Sequence, residues 1–187
     1  MMPRDCKGTL VSMLLRRLGS VAVGDVGERE TYDFDPDLLI AASLNPNDGS
    51  ACLDRALALA FLGDQSAADE TAEIAISLNP LGGEWFCTVL AFVHFMARRY
   101  EAAEEYFALA SRTLPDVLGL HAANLSYLGR QAKASEVMQE ALQQFSLLWR
   151  GQLPPAFDDF ISWFGHVNML RRSEDWEHLY RGLPKPS

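Results

Sequence analysis

Apolar residues recur along the middle of the chain at three- and four-residue intervals. Leu53, Ala56, Leu57 and Ala60 form one such row; Val89, Leu90 and Val93 form a second, and Leu125 and Leu128 a third. That spacing places each row on one face of a helix, which turns about once every 3.6 residues. No stretch shows sustained two-residue alternation, so no strand is expected. The pattern predicts helices near 36–44, 50–62, 66–78, 84–97, 100–113, 116–128 and 131–145.

A period of 34 residues organises these helices. Ser43-Leu44-Asn45-Pro46 recurs as Ser77-Leu78-Asn79-Pro80, and decays to Arg112-Thr113-Leu114-Pro115. Alanines keep the same frame. Ala56, Ala91 and Ala122 are each followed 12 residues later by Ala68, Ala103 and Ala134, and 7 residues after that by Ala75, Ala110 and Ala141. Ala41, five residues before Pro46, marks a preceding half repeat. Small residues at those places let two helices cross closely. Pro80 and Pro115 end the second helix of a pair, because proline lacks the N–H and clashes with the preceding turn. Ser146 stands where the next proline would fall. Gly63 and Gly129 end the first helix of a pair, where positive φ is needed, and Arg98 occupies the equivalent place in the middle pair.

This frame resembles the tetratricopeptide repeat. The best-matching copy carries Cys87, Leu90, Ala91, His94, Ala103, Phe107 and Pro115. A second has Cys52, Arg55, Ala56, Leu59, Ala68, Ala72 and Pro80, and a third has Leu118, His121, Ala122, Leu125, Ala134 and Met138. Arg55 and His121 replace a leucine of the family pattern, and alanine replaces its helix-A glycine. The resemblance implies an all-α, right-handed superhelical array, a half repeat plus three, over residues 36–146. Residues 1–35 form an atypical amino-terminal segment with one short helix, and residues 147–187 form capping helices and a tail.

Past Ser146 the repeat stops. Leu153-Pro154-Pro155 breaks the chain and Phe157, Phe160, Ile161 and Phe164 form an apolar stripe on a further helix. Ser173 then looks like a helix cap, with Glu174 and Asp175 in the first turn where the helix dipole favours acids. The ending Asp175-Trp176-Glu177-His178-Leu179-Tyr180-Arg181-Gly182-Leu183-Pro184 is similar to the carboxyl end of tetratricopeptide regions that follow class III adenylate/guanylate cyclase domains in rhizobial-type bacteria. Trp85 and the run Ala97-Arg98-Arg99-Tyr100-Glu101-Ala102-Ala103 share that similarity. The cyclase domain itself is absent, and residues 1–36 are too few to hold one. Asp33, Asp35 and Asp37 mimic a calcium-loop spacing, but the loop's glycine and distal glutamate are missing.

Charge and composition narrow the function. The chain has 187 residues, is 49% hydrophobic and carries a net charge of −9, so it can bury a core. Without a basic stripe it is not expected to bind nucleic acid, since phosphate neutralisation needs clustered Lys and Arg. No apolar run is long enough for a membrane span. Cys6, Cys52 and Cys87 are scattered and odd in number, which argues against a disulfide framework and for a reducing, cytoplasmic setting. Arg4, Lys7, Arg16 and Arg17 against Asp5 leave +3 in the first 19 residues, yet the apolar stretch Thr9–Leu15 is short for a secretory signal and ends on a basic pair. Gly19 and Gly24 have phosphate-loop spacing, but Asp25-Val26 follows them, and an acid there repels phosphate.

No catalytic constellation emerges. His94, His121, His166 and His178 lie on separate helices without zinc-ligand spacing, and His94 and His121 fall on packing positions. Glu101, Glu104 and Glu105 read as a solvated helix face. Asn124-Leu125-Ser126 is a glycosylation pattern placed mid-helix. No cofactor or metal is expected, nor is enzymatic activity. What the tetratricopeptide resemblance implies instead is a concave groove lined by helices A: Ser50, Leu53, Leu57 and Phe61; Trp85, Thr88, Phe92, Phe95 and Met96; Ala123, Ser126 and Tyr127. Leu57, Phe61, Trp85, Thr88, Phe92, Phe95, Met96 and Tyr127 are its partner-binding residues, with Trp85, Phe92, Phe95 and Tyr127 as anchors. The Lys, Arg and Asn clamp by which some members hold a carboxyl-terminal tail is absent. So apolar a face does not stay bare. Its cover is the chain's own carboxyl-terminal helix through Phe157, Phe160, Ile161 and Phe164, a second copy in a homodimer, or a partner helix or peptide. The expected function is protein–protein interaction; the alternative is a detached regulatory or assembly module of a nucleotide-cyclase system, or a truncated remnant of one.

Overall fold

The computed structural model describes residues 43–151 and 153–185. Among them the chain is all helical, with eight helices and no strand. These are α1 (Gly49–Leu62), α2 (Gln65–Leu78), α3 (Glu84–Met96), α4 (Tyr100–Phe107), α5 (Pro115–Tyr127), α6 (Gln131–Leu148), α7 (Phe157–Val167) and α8 (Ser173–Gly182). The helix expected over 36–44 and the amino-terminal segment lie largely outside the described residues. No helix among the described residues is long and apolar enough to cross a membrane.

The first six helices pair as hairpins: α1 with α2, α3 with α4, and α5 with α6. Successive first helices also touch, α1 against α3 and α3 against α5. The alanine frame sits at these crossings. Ala56, Ala68, Ala75, Ala91, Ala103, Ala122, Ala134 and Ala141 are all fully buried. A larger side chain at any of them would push helices apart, at a typical cost of about 1–3 kcal/mol. Asp48 starts α1 by accepting from the backbone N–H of Ser50 at 2.9 Å, and Asp64 starts α2 through Ala67 N–H at 3.3 Å.

The three hairpin turns all use the left-handed conformation that the repeat frame requires. Gly63 has φ 83° and Gly129 φ 73°, and Arg98, in the frame position of those glycines, adopts φ 62°. For a residue with a Cβ that conformation costs roughly 1–2 kcal/mol. Arg98 adopts it while its guanidinium reaches Asp175 on α8 at 3.4 Å.

Three boundaries and one side-chain role differ from the sequence expectation. Helix α4 ends at Phe107 rather than 113. Ser111 and Thr113 bond each other through their hydroxyls at 3.0 Å, and Pro115 disfavours helical backbone at the residue before it. Helix α6 continues to Leu148, because Ser146 replaces the proline that would have stopped it. Ser173 is the first residue of α8, not its cap; Arg172 holds the cap place and no side chain caps the helix. Glu104 is not solvated. It is mostly buried and receives His121 Nε2 at 3.0 Å, Asn124 Nδ2 at 3.2 Å and Arg130 at 3.4 Å, tying α4 to α5 and α6. Glu101 and Glu105 do face solvent. An acid so placed pairs with the next hairpin instead of with water, which spacing along one helix does not reveal.

Helices α7 and α8 close the array differently from each other. Of the α7 stripe, Phe160 and Phe164 are fully buried: Phe160 sits 5.5 Å from the Phe145 ring of α6, and both crowd Gly119 of α5. Any Cβ at Gly119 would come within 2.8 Å of Phe164, so glycine is what admits the pair. Helix α8 instead turns back and lies on α5.

Candidate functional site

The concave row drawn from the repeat frame divides in two. At one end, α8 covers it. The His178 ring stacks on Tyr127 (4.3 Å, 15° between planes), with Phe95 at 5.2 Å and Tyr100 at 5.9 Å. Tyr100 and Tyr127 themselves stack at 4.8 Å. The Tyr127 hydroxyl donates to the His178 carbonyl at 2.7 Å, and the Tyr100 hydroxyl lies 3.3 Å from His178 Nε2. Gly182 lets the last turn of α8 touch α5, since a Cβ there would meet Tyr127 at 2.7 Å and Ala123 at 2.9 Å. Leu179 is fully buried beneath the helix.

The segment leading into α8 covers the neighbouring rim. Arg171 N–H donates to the Phe61 carbonyl at 2.9 Å, and the Arg172 guanidinium to the Gly63 carbonyl at 3.2 Å. These bonds satisfy orphan carbonyls at the end of α1. The cover is therefore α8 and its leading segment, whereas of the stripe Phe157, Phe160, Ile161 and Phe164, the pair Phe160 and Phe164 packs against Gly119, and Phe160 against Phe145. Exposed apolar character marks which helices need a cover. It does not say which helix supplies it.

The other end holds a cavity of about 250 Å³. Leu57 and Phe61 of α1 and Trp85, Thr88 and Phe92 of α3 line one side. Asp116, Val117 and Leu120 of α5, and Val167 and Asn168 at the end of α7, line the other. No described residue of α8 reaches it. Phe61 and Phe92 pack ring to ring at 4.8 Å on its wall. Five of the eight residues singled out in the sequence thus converge here, and Phe95 and Tyr127 converge at the closed end. Met96 is buried in the core beside them. Leu57, Phe61, Thr88 and Phe92 are buried as well, while Trp85 is half-buried at the rim. The recess occupies one end of the groove drawn from the sequence, and the other end is covered, as so apolar a face requires.

Charge sets the two ends apart. Burial pushes the His178 imidazole down to about 4, and Arg98 and Arg181 push in the same direction, so the ring is neutral in its aromatic surround. In the cavity wall, burial pushes the Asp116 carboxyl up to about 6, against backbone hydrogen bonds at the start of α5 that favour its ionised form. Its Oδ1 is shielded from water and has no hydrogen-bond partner. Three other polar side chains of the wall are engaged: Thr88 Oγ1 donates to the Glu84 carbonyl at 2.9 Å, Asn168 Nδ2 donates to the Phe164 carbonyl at 3.0 Å, and Thr113 Oγ1 pairs with Ser111 Oγ at 3.0 Å. Asp54 on α1 is also pushed up to about 6, by burial and then by Asp48, but it is not part of the cavity wall.

Asp116 escaped the sequence reading although the frame contains it. Ser50, Trp85 and Asp116 each stand six residues before the crossing alanines Ala56, Ala91 and Ala122. The row that selected Trp85 therefore selects Asp116 as well.

The remaining candidates are structural. His121 is buried against Glu104, with its ring stacked on Phe107 at 4.9 Å. His94 stacks on Tyr106 at 5.3 Å and accepts from Arg99 at 3.0 Å. Arg99 also grips Asp69 of α2 with both guanidinium arms, one at 2.8 Å. Asn124 of the glycosylation pattern is fully buried and donates to the Tyr100 carbonyl at 3.1 Å. Among the described residues, no three His, Cys, Asp or Glu side chains gather as a metal site would require. Burial raises the thiols of Cys52 and Cys87, which makes them poorer nucleophiles. No family model, curated protein or solved structure matches this chain.

Proposed function

We propose that the chain is a non-catalytic binding module built from tetratricopeptide-type hairpins, and that it engages a segment of a partner protein at the recess between α1, α3 and α5. The 34-residue period, the buried alanine crossings and the contact of successive first helices support the repeat reading. The observation that carries the binding reading is the convergence of Leu57, Phe61, Trp85, Thr88 and Phe92 on one cavity that α8 leaves alone. Apolar recesses with few polar groups are the usual form of a recognition pocket. Trp85, half-buried and so still able to lose surface to a partner, is the anchor, since tryptophan is enriched among the residues that carry interface energy. A partner places one side chain into the recess, because α8 already fills the place a longer helix would take.

The non-catalytic part rests on the scatter of reactive groups. Asp54, Asp116 and His178 are the strongly perturbed acids and base among the described residues, and none is paired with another in a nucleophile–base arrangement. The test is affinity capture from the source cells with wild type and with Trp85→Ala/Phe92→Ala, both checked for folding by circular dichroism. A protein captured by wild type and lost with the double variant supports the reading. Equal capture by both removes the recess from it.

A further inference from the structure

At about 250 Å³ the recess is roomy for a single side chain. An apolar cavity of roughly 150 Å³ already takes up benzene, so a substituted aromatic ring fits here. The polar side chains of the wall are Trp85, Thr88, Thr113, Asp116 and Asn168. Thr88 and Asn168 donate to backbone carbonyls, and Thr113 pairs with Ser111. The Asp116 carboxyl is held by backbone N–H groups at the start of α5, and its Oδ1 is closed off from solvent. The Trp85 indole N–H can donate but not accept. A charged side chain entering this wall gives up its water without gaining a matching partner, which is strongly unfavourable. An uncharged ring gives up little and covers apolar surface.

The wall is also aromatic. Phe61 and Phe92 meet ring to ring at 4.8 Å, and Trp85 stands beside them. Rings gain from packing on rings beyond the area they bury. The closed end shows the same row accepting one. Tyr127 stands two residues before the hairpin glycine Gly129, as Phe61 stands before Gly63, and Tyr127 carries the His178 imidazole stacked on it at 4.3 Å. The recess is continuous with the cover the chain supplies itself. Val167 and Asn168 at the end of α7 line it, and Phe61, which lines it too, receives the Arg171 N–H on its carbonyl. A segment docked at the recess extends the interface that α7 and the chain leading into α8 begin.

We propose that the recess is a subsite for an aromatic side chain of the docked partner segment, its ring lying against Phe61, Trp85 and Phe92. This rests on the reading of the recess as the binding place and adds the chemistry of what enters it. Tryptophan, tyrosine or phenylalanine satisfies the site. Lysine, arginine, aspartate and glutamate are rejected there, and an aliphatic side chain binds more weakly because it brings no ring.

The test titrates the full chain with four small probes and follows its amide NMR shifts. Indole and p-cresol stand for the tryptophan and tyrosine side chains, isoamyl alcohol for an aliphatic one and n-butylammonium for lysine. The two rings are expected to shift the amides of Trp85, Phe92 and Leu120 and to leave those of Tyr127 and His178 in place. Each ring should bind roughly tenfold more tightly than isoamyl alcohol, and more tightly still than n-butylammonium. Leu57→Phe, which fills part of the recess, should weaken the rings; the comparison of probes in wild type stands even if that variant folds poorly. Isoamyl alcohol binding as well as the rings overturns the aromatic assignment, and n-butylammonium doing so overturns the exclusion of charge. Shifts confined to the closed end, or no shifts with any probe, overturn the subsite. Loss of partner capture in Trp85→Ala/Phe92→Ala alongside that result would leave the interaction reading standing without it.

Discussion

The two ends of the apolar face of α1, α3 and α5 are built from the same rows of the same helices, yet one is finished and the other is not. At the closed end Phe95, Tyr100 and Tyr127 surround a neutral His178, and the tyrosine hydroxyls have partners. At the open end Leu57, Phe61 and Phe92 surround a recess, and a carboxylate oxygen has none. The closed end shows how the chain satisfies its own aromatic row when it has the helix to do so. On the function proposed above, the closed end serves cohesion and the open end recognition.

Removing the cover should have the largest effect. Truncation after Arg172 bares Phe95 and Tyr127 and deletes the fully buried Leu179. Loss of a buried leucine side chain alone costs about 2–5 kcal/mol, so thermal unfolding should shift down by many degrees or the chain should aggregate. An unchanged melting temperature would show that α8 does not hold the fold. A subtler break is Gly182→Val, which forces a side chain into Tyr127 and Ala123 and should cost about 1–3 kcal/mol in a urea titration.

Asp116→Asn should act in the opposite direction. The folded carboxyl sits at about 6, above its unfolded value near 3.9, so burial of the charge destabilises the fold fully above about pH 6 and not at all below about pH 4. The variant should gain about 2 kcal/mol at pH 7 and show no gain near pH 4. A loss at neutral pH would mean that the carboxylate is structurally partnered. His178 has the reverse sign. Its folded value near 4 lies below the unfolded value near 6.5, so its contribution is intact above about pH 6.5 and declines as pH falls toward about 4. After discounting for its partial exposure, about 1 kcal/mol is at stake, and His178→Phe should abolish that acid sensitivity. Arg98→Gly should be nearly neutral, within about 1 kcal/mol: it relieves the left-handed backbone but removes the Asp175 ion pair.

Much of the array was legible because its signals are local. Prolines, glycines and crossing alanines sit at fixed spacings, and even the left-handed turn at Arg98 followed from its place among glycines. Helix ends failed where the signal was a missing residue, as at Ser146, or a weak one, as at Ser111 to Thr113. The aromatic row was legible too, since periodicity reports which face is apolar. What lies across from that face was not, because α8 contacts Tyr127 from some fifty residues away and no period links them. Glu104 and Asp116 escaped for the same reason: an acid's partner, or its lack of one, is a property of neighbouring helices.

The central claim is that recognition belongs to the recess and cohesion to α8. Affinity of the captured partner for Trp85→Ala and for Gly182→Val, measured side by side by titration calorimetry, tests it most directly. The account predicts that Trp85→Ala weakens binding at least about tenfold, as expected for an anchor residue, while Gly182→Val binds as wild type at a temperature where both are folded. Binding lost in Gly182→Val and kept in Trp85→Ala would place recognition at the closed end and contradict the account.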